Sequence, residues 1–485
     1  MLPMYLKYMG AESYGLVGFF AMVQALFNLL DIGLAPTMAR ETARFQGGAS
    51  TALSYRRLLR ALQVIFWCTA VVGGAMLFWL AGSIASHWLK LQMLSINDAT
   101  HAIQLMAAGV ALRWVSGLYR AVISGAEQLV WLNGANAFVA TVRFVGVFPI
   151  LMWVGTTPNV FFAYQVMVAL LEFGLFALKT RKLVPAVPPG TAIGWTVPLL
   201  FKPVSAVASF SISIAFTSSL WALVTQADRL ILSRLLLLAD YGYFSLAVLA
   251  ATVVATVGGP ISSAVIPRLN RLYAAGEHTQ AISLYRETTR MVGAIAFPMA
   301  AVIAYFSQDI LYLWTGDKIA AEHSANTLAL YALGYAVLAI TSLSAHLQAA
   351  SGNMRLHVVG SMLFIGIYVP LLPLLVAQYG VAGAGIAWLL VNGVYLFIWI
   401  PKIHSRFSAR LHWPWLASDV ALAFVVAILV VALPKTFVDL PANRWAALGA
   451  LAILGCASLA GSYLLTGKIR SLFGKHGKLN IPLHE

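Results

Sequence analysis

The chain has 485 residues, of which 61% are hydrophobic and only 10% charged, and it carries a formal net charge of +15. A soluble globular chain has roughly 45–50% apolar and about 25% charged residues, so this one lacks the polar surface that water demands and must use lipid as its solvent. The two cysteines, Cys68 and Cys456, sit far apart in apolar runs; that excludes a disulfide scaffold or a cysteine zinc site and predicts buried free thiols.

Apolar segments of roughly 17–25 residues mark membrane spans. In chain order they fall at 13–34, 61–86, 103–124, 132–154, 159–178, 204–226, 241–264, 291–313, 326–348, 357–376, 381–400, 418–434 and 446–465. These define an all-α polytopic membrane protein of thirteen transmembrane helices. The stub 1–7 ahead of them is too short to cross, and no basic segment followed by an apolar core and cleavage site marks a signal peptide. The longest polar stretches are 179–203, rich in proline and glycine, and 267–290, which reads as an amphipathic surface helix.

The positive charge is distributed as topology. If loops alternate from a cytoplasmic segment after 13–34, twenty-one basic residues fall on the cytoplasmic side and seven opposite. This bias places the C-terminus in the cytoplasm. The same charge meets anionic membrane lipids; no compact basic module exists to take nucleic acid.

A short repeat supports two halves. Tyr14-Gly15 opens one span and Tyr241-Gly242 another, and an arginine follows each tyrosine thirty residues on, Arg44 and Arg271. Same-sense repeats predict two lobes related by a pseudo-twofold axis along the membrane normal. The predicted division is an N-terminal lobe at 1–180, a cytoplasmic linker at 181–203, a C-terminal lobe at 204–405, and two extra helices with a basic tail at 406–485. Internal prolines at Pro149, Pro260, Pro298, Pro370 and Pro373 each remove a backbone donor and bend or merely punctuate a helix.

Charge at membrane depth is costly, so it faces a partner or a hydrated cavity. Arg113 and Arg120 stand seven residues apart, on one helix face. Arg143 lies near the middle of the next span, with Asn136 seven residues earlier. Such a guanidinium ladder suits phosphate groups, which it grips through paired hydrogen bonds. Asp31 and Glu172 match Arg120 in depth and are placed to make a structural or coupling ion pair with it. Arg113 and Arg143 have no acid at their own level, so they are the candidates for substrate. Ser205, Ser209, Ser213 and Thr217 form a hydroxyl stripe, which either contacts sugar, chiefly through Ser209 and Ser213, or packs against a neighbouring helix. His346, inside a span, reads as a packed, hydrogen-bonded imidazole.

Catalytic signatures are missing. The chain has no GxxxxGK[ST] loop, no HExxH and no cysteine–histidine cluster with ligand spacing. No catalytic residue, metal or cofactor is therefore expected.

The stretches Leu2-Pro3-Met4-Tyr5-Leu6, Tyr14-Gly15-Leu16 and Leu30-Asp31-Ile32-Gly33-Leu34 resemble the polysaccharide (O-antigen type) flippase family. So do Ala227-Asp228-Arg229-Leu230-Ile231-Leu232 and Tyr241-Gly242-Tyr243. That family belongs to the multidrug/oligosaccharidyl-lipid/polysaccharide exporter superfamily. The resemblance implies fourteen helices in a complete member: two six-helix lobes around a central cationic cavity, followed by two extra helices. It implies transport of undecaprenyl-pyrophosphate-linked oligosaccharide by alternating access, with a polysaccharide polymerase and a chain-length regulator as candidate partners. The family's first helix should lie before Pro3, so the N-terminal lobe is expected to hold only that helix's outer end. A multidrug or cation exporter of the same superfamily, and a membrane-embedded glycan polymerase or ligase, are the competing readings.

Overall fold

The computed structural model describes residues 2–31, 33–186, 225–437 and 444–474. Among these, helices account for nearly all regular structure; the exception is an isolated bridge between Lys90 and Leu237. Among the described residues, ten helices are long and apolar enough to cross a membrane, or eleven when a bent pair counts as one span. The helix Arg444–Gly474 adds a shorter apolar stretch, Gly449–Leu464. The expected span at 204–226 lies outside the described residues, and so does the hydroxyl stripe with Ser209 and Ser213. Side chains on the outer faces are apolar, as lipid requires: Trp79 is 84% exposed. Cys68 and Cys456 are both exposed there, contrary to expectation. An apolar run in a membrane need not point inward to escape water.

The chain divides into two compact units, Met1–Gly242 and Tyr243–Glu485. In the first, α1 (Leu2–Met9), α2 (Ala11–Leu29) and α3 (Leu34–Gln46) lead to α4 (Ala52–Ser83), α5 (Ile96–Gly125), α6 (Leu129–Phe144), α7 (Val147–Trp153) and α8 (Pro158–Leu183). Several starts are set by hydroxyl caps: Thr51 accepts from Ser54 N–H, Ser95 from Asp98 N–H, and Thr157 from Val160 N–H with Pro158 just inside the helix. The longest buried faces belong to α5, which packs against α4 and α8.

Several expected spans are broken, and a local reason is visible at three of them. The span expected at 13–34 bends by 56° between α2 and α3. Gly33 there has φ +69°, and the Asp31 carboxylate accepts the Ala35 N–H at 2.8 Å to start α3. The span expected at 132–154 separates into α6 and α7 at residues 145–146. Pro149 lacks an N–H and its ring crowds the carbonyl four residues back, which is that of Val145. Pro260 acts alike in the second unit, where Leu238–Ala255 gives way to Gly258–Ala274. By contrast Pro298, Pro370 and Pro373 sit inside continuous helices.

Gly15 and Gly242, from the two matching Tyr-Gly openings, meet within the first unit. A Cβ at Gly15 would collide with the Leu238 carbonyl oxygen, and one at Gly242 would come within 2.7 Å of the Ala11 carbonyl oxygen. Backbone cannot yield as a flexible side chain does, so Gly15→Ala should lower stability by ~1–3 kcal/mol. Gly134, whose Cβ would meet nothing within 4 Å, is the control: Gly134→Ala should be neutral or gain up to ~1 kcal/mol. Melting temperatures of the two variants in detergent decide this, and equal values would refute the close crossing.

In the second unit, Lys318–Thr341 packs against Val381–Val394 and His278–Tyr305, and the latter also carries Leu422–Phe437 and Arg444–Gly474. No separate surface helix covers 267–290. Residues 258–274 and 278–305 form two long helices joined at Gly276, with φ +74°. Polar residues can lie within the second of these because they are paired. Arg286 Nε and Arg290 Nε each donate to one oxygen of the fully buried Asp419, both at 2.6 Å, and Arg286 Nη2 donates to Ser418 Oγ at 3.0 Å. Beside them Tyr285 Oη and His404 Nε2 are 2.9 Å apart, and the Nδ1 atoms of the buried His404 and His412 are 3.2 Å apart. This cluster fastens the segment at 412–421 to His278–Tyr305. His346, singled out from the sequence, is half-buried.

Candidate functional site: an arginine-lined cavity in the first unit

The arginine ladder is assembled by parallel helices in register. Arg113 and Arg120 on α5 face Gln165 and Glu172 on α8, with the same offset of 52 residues in each pair. A seven-residue step of two turns on both helices keeps the pairs on facing stripes. Arg113 Nη2 donates to Gln165 Oε1 at 2.8 Å, and Arg120 Nη2 to Glu172 Oε1 at 2.5 Å.

Arg143 joins from α6. Its Nη2 donates to the other oxygen, Glu172 Oε2, at 2.6 Å, and Arg113 Nε stands 4.0 Å from that same oxygen. One carboxylate, 3% exposed, thus collects three guanidiniums. The pairing of Arg120 with Glu172 rather than Asp31 resolves the alternative left open by depth. The expectation that Arg113 and Arg143 lack an acid at their level is corrected. A guanidinium side chain reaches across a helical turn of about 5.4 Å, so depth counted along the backbone misplaces its head group.

The break after α6 aims Arg143. Tyr164 Oη donates to the Val142 carbonyl at 2.7 Å and Tyr5 Oη to the Phe144 carbonyl at 3.1 Å. These carbonyls flank Arg143 at the interrupted end of the helix, where backbone acceptors need outside donors. Tyr5 comes from the short α1 and is 1% exposed. Neither tyrosine was singled out from the sequence. Phe20 lies 5.1 Å beneath the Arg113 guanidinium, and Phe176 5.4 Å beneath that of Arg120, adding cation–π support.

These groups border a cavity of about 250 Å³ lined by Gln24, Asn28, Asp31, Arg113, Arg120, Arg143 and Glu172 with several apolar neighbours. Its charged lining is three guanidiniums against two carboxylates. Gln24 and Asn28, four residues apart on α2, continue to Asp31 and were missed in the sequence. Their spacing along one helix face was the available signal. Arg113 Nε and Arg143 Nε are buried without a hydrogen-bond partner, and so is Gln24 Oε1. Asn136 stays outside the lining; at 1.5 Å per residue it is about 10 Å along the helix from Arg143. Among the described residues, no group of three or more histidine, cysteine or acidic side chains could hold a metal ion.

Comparison with known proteins bears on this many-helix bundle and its cationic cavity. A family profile described as polysaccharide biosynthesis protein matches residues 148–322. A putative O-antigen transporter of Shigella flexneri is 20% identical over 382 residues, covering 78% of this chain and 87% of that protein. Among solved structures, the lipid II flippase MurJ in an inward closed conformation matches with a TM-score of 0.68 at 12% identity, covering 97% of this chain and 96% of that one. An inward-facing multidrug resistance MATE transporter matches at 0.70 and 13% identity, covering 84% and 93%. These two establish the fold. The chain shares the fold of these flippases and transporters, and its residues 148–322 match the polysaccharide biosynthesis profile.

Proposed function

We propose that this protein moves a lipid-linked oligosaccharide, carried on undecaprenyl pyrophosphate, from the cytoplasmic to the periplasmic leaflet of a bacterial inner membrane by alternating access between two lobes. Its C-terminus is then cytoplasmic, and a polysaccharide polymerase with a chain-length regulator takes the product. One observation carries the reading: a cavity in which three guanidiniums surround one carboxylate while two buried Nε–H donors remain unpaired. Buried unpaired donors are unfavourable unless a ligand meets them, and a phosphate offers charge and several acceptor oxygens at once. The cavity lies below the roughly 300–1,000 Å³ of sites that enclose a drug-sized ligand. It fits the phosphate end of such a substrate, not its whole glycan.

A multidrug exporter shares this fold, as the MATE match makes plain. Its cationic substrates would be repelled here, where guanidiniums outnumber carboxylates. The discriminating experiment reconstitutes the protein into vesicles. Translocation of a polyprenyl-pyrophosphate-linked oligosaccharide well above that of protein-free vesicles is expected, with no transport of ethidium. Ethidium transport with a static glycolipid would overturn the proposal.

A further inference from the structure

We infer that Glu172 is a resident counter-anion: its carboxylate occupies the place of a phosphate group, and the substrate's phosphate must displace it to be held by the arginines. The inference rests on the phosphate reading of the cavity and adds to it a residue that opposes binding.

The carboxylate is arranged as a bound anion would be. Its oxygens are taken by two guanidiniums from different helices, at 2.5 and 2.6 Å, with a third at 4.0 Å. Held in this way it neutralises one of the three positive charges while leaving two buried donors unfilled. Each guanidinium has five N–H groups, whereas a carboxylate has about four lone-pair positions. The buried Nε–H groups of Arg113 and Arg143 have no partner in this arrangement. A purely structural ion pair has no reason to gather more donors than it can satisfy, because each orphaned buried donor destabilises the fold.

The other acid of the cavity does not share the task. Asp31 accepts the Ala35 N–H that starts α3, and among the described residues no ion pair joins it to an arginine. There is also space beside the arginines: Gly117 lines the cavity, and a Cβ there would meet nothing within 4 Å. An incoming phosphate with more charge and more acceptor oxygens competes for the same N–H groups on better terms than one carboxylate. Glu172 then sets a threshold: ligands with a single weak anion fail to displace it, and phosphates succeed.

The test measures binding of farnesyl pyrophosphate to the purified full chain in nanodiscs, by calorimetry, with folding followed by gel filtration. Glu172→Gln removes the competitor's charge and should tighten binding tenfold or more. Glu172→Asp keeps the charge but shortens the side chain, loosening its grip on both arginines, and should fall between the two. It also keeps the question open to measurement if the glutamine variant does not fold. Tightening in the order wild type, aspartate, glutamine supports the inference. Unchanged or weaker binding by a folded variant assigns Glu172 a structural role and overturns it. Absence of binding by wild type and both variants overturns the phosphate reading instead.

Discussion

Replacing Arg113 and Arg143 together by glutamine is expected to lower glycolipid transport by about a hundredfold or more while folded protein stays near normal. A hydrogen bond to a charged group contributes ~1.5–3 kcal/mol, so losing one at each position weakens phosphate binding by ~3–6 kcal/mol, and each ~1.4 kcal/mol is tenfold. Folding survives because the Arg120–Glu172 pair remains and the buried carboxylate keeps a partner. Lysine at both positions should restore only part of the activity, since an ammonium cannot offer the planar fork that a phosphate accepts. Initial rates in reconstituted vesicles, normalised to folded protein, measure all three. Wild-type rates in the double glutamine variant would remove these residues from the substrate path.

The largest loss of stability is expected from the second unit. Asp419→Asn keeps the side-chain shape but removes the charge that Arg286 and Arg290 share, each at 2.6 Å. Breaking a buried pair by removing one partner costs ~3–5 kcal/mol, a large part of the ~5–15 kcal/mol by which a protein is stable. Folded yield should fall sharply and thermal unfolding in detergent should move well down. Replacing all three by apolar residues, Arg286→Met, Arg290→Met and Asp419→Leu, should recover most of the loss, because the penalty lies in the stranded charge. An Asp419→Asn variant that melts with wild type would show that the cluster fastens nothing.

Asp419 also marks where sequence reading stopped. Arg286 and Arg290 fall in the polar stretch 267–290, outside the expected spans, since hydropathy scores side chains singly and cannot register that a distant aspartate neutralises both. Four-residue spacing of the arginines and a lone acid at the start of an apolar run were the visible traces. For the same reason the helix His278–Tyr305 begins thirteen residues before the span expected at 291–313. The membrane class, the spans and the arginine stripe were legible because each depends on local composition or on helical period. Tyr5 and Tyr164 were not, because their partners are backbone carbonyls exposed by a break that Pro149 predicts only in outline. Glu172 was placed correctly along its helix, yet its reach to Arg143 depends on how α6 lies against α8, which no periodicity encodes.

The most direct measurement is a cryo-electron microscopy structure of the protein in nanodiscs with a polyprenyl-pyrophosphate-linked oligosaccharide. The account predicts pyrophosphate density in the cavity of the first unit, against the Nε–H groups of Arg113 and Arg143, with the Glu172 carboxylate moved off at least one guanidinium. Pyrophosphate bound elsewhere, with all three arginines still closed on Glu172, would contradict it.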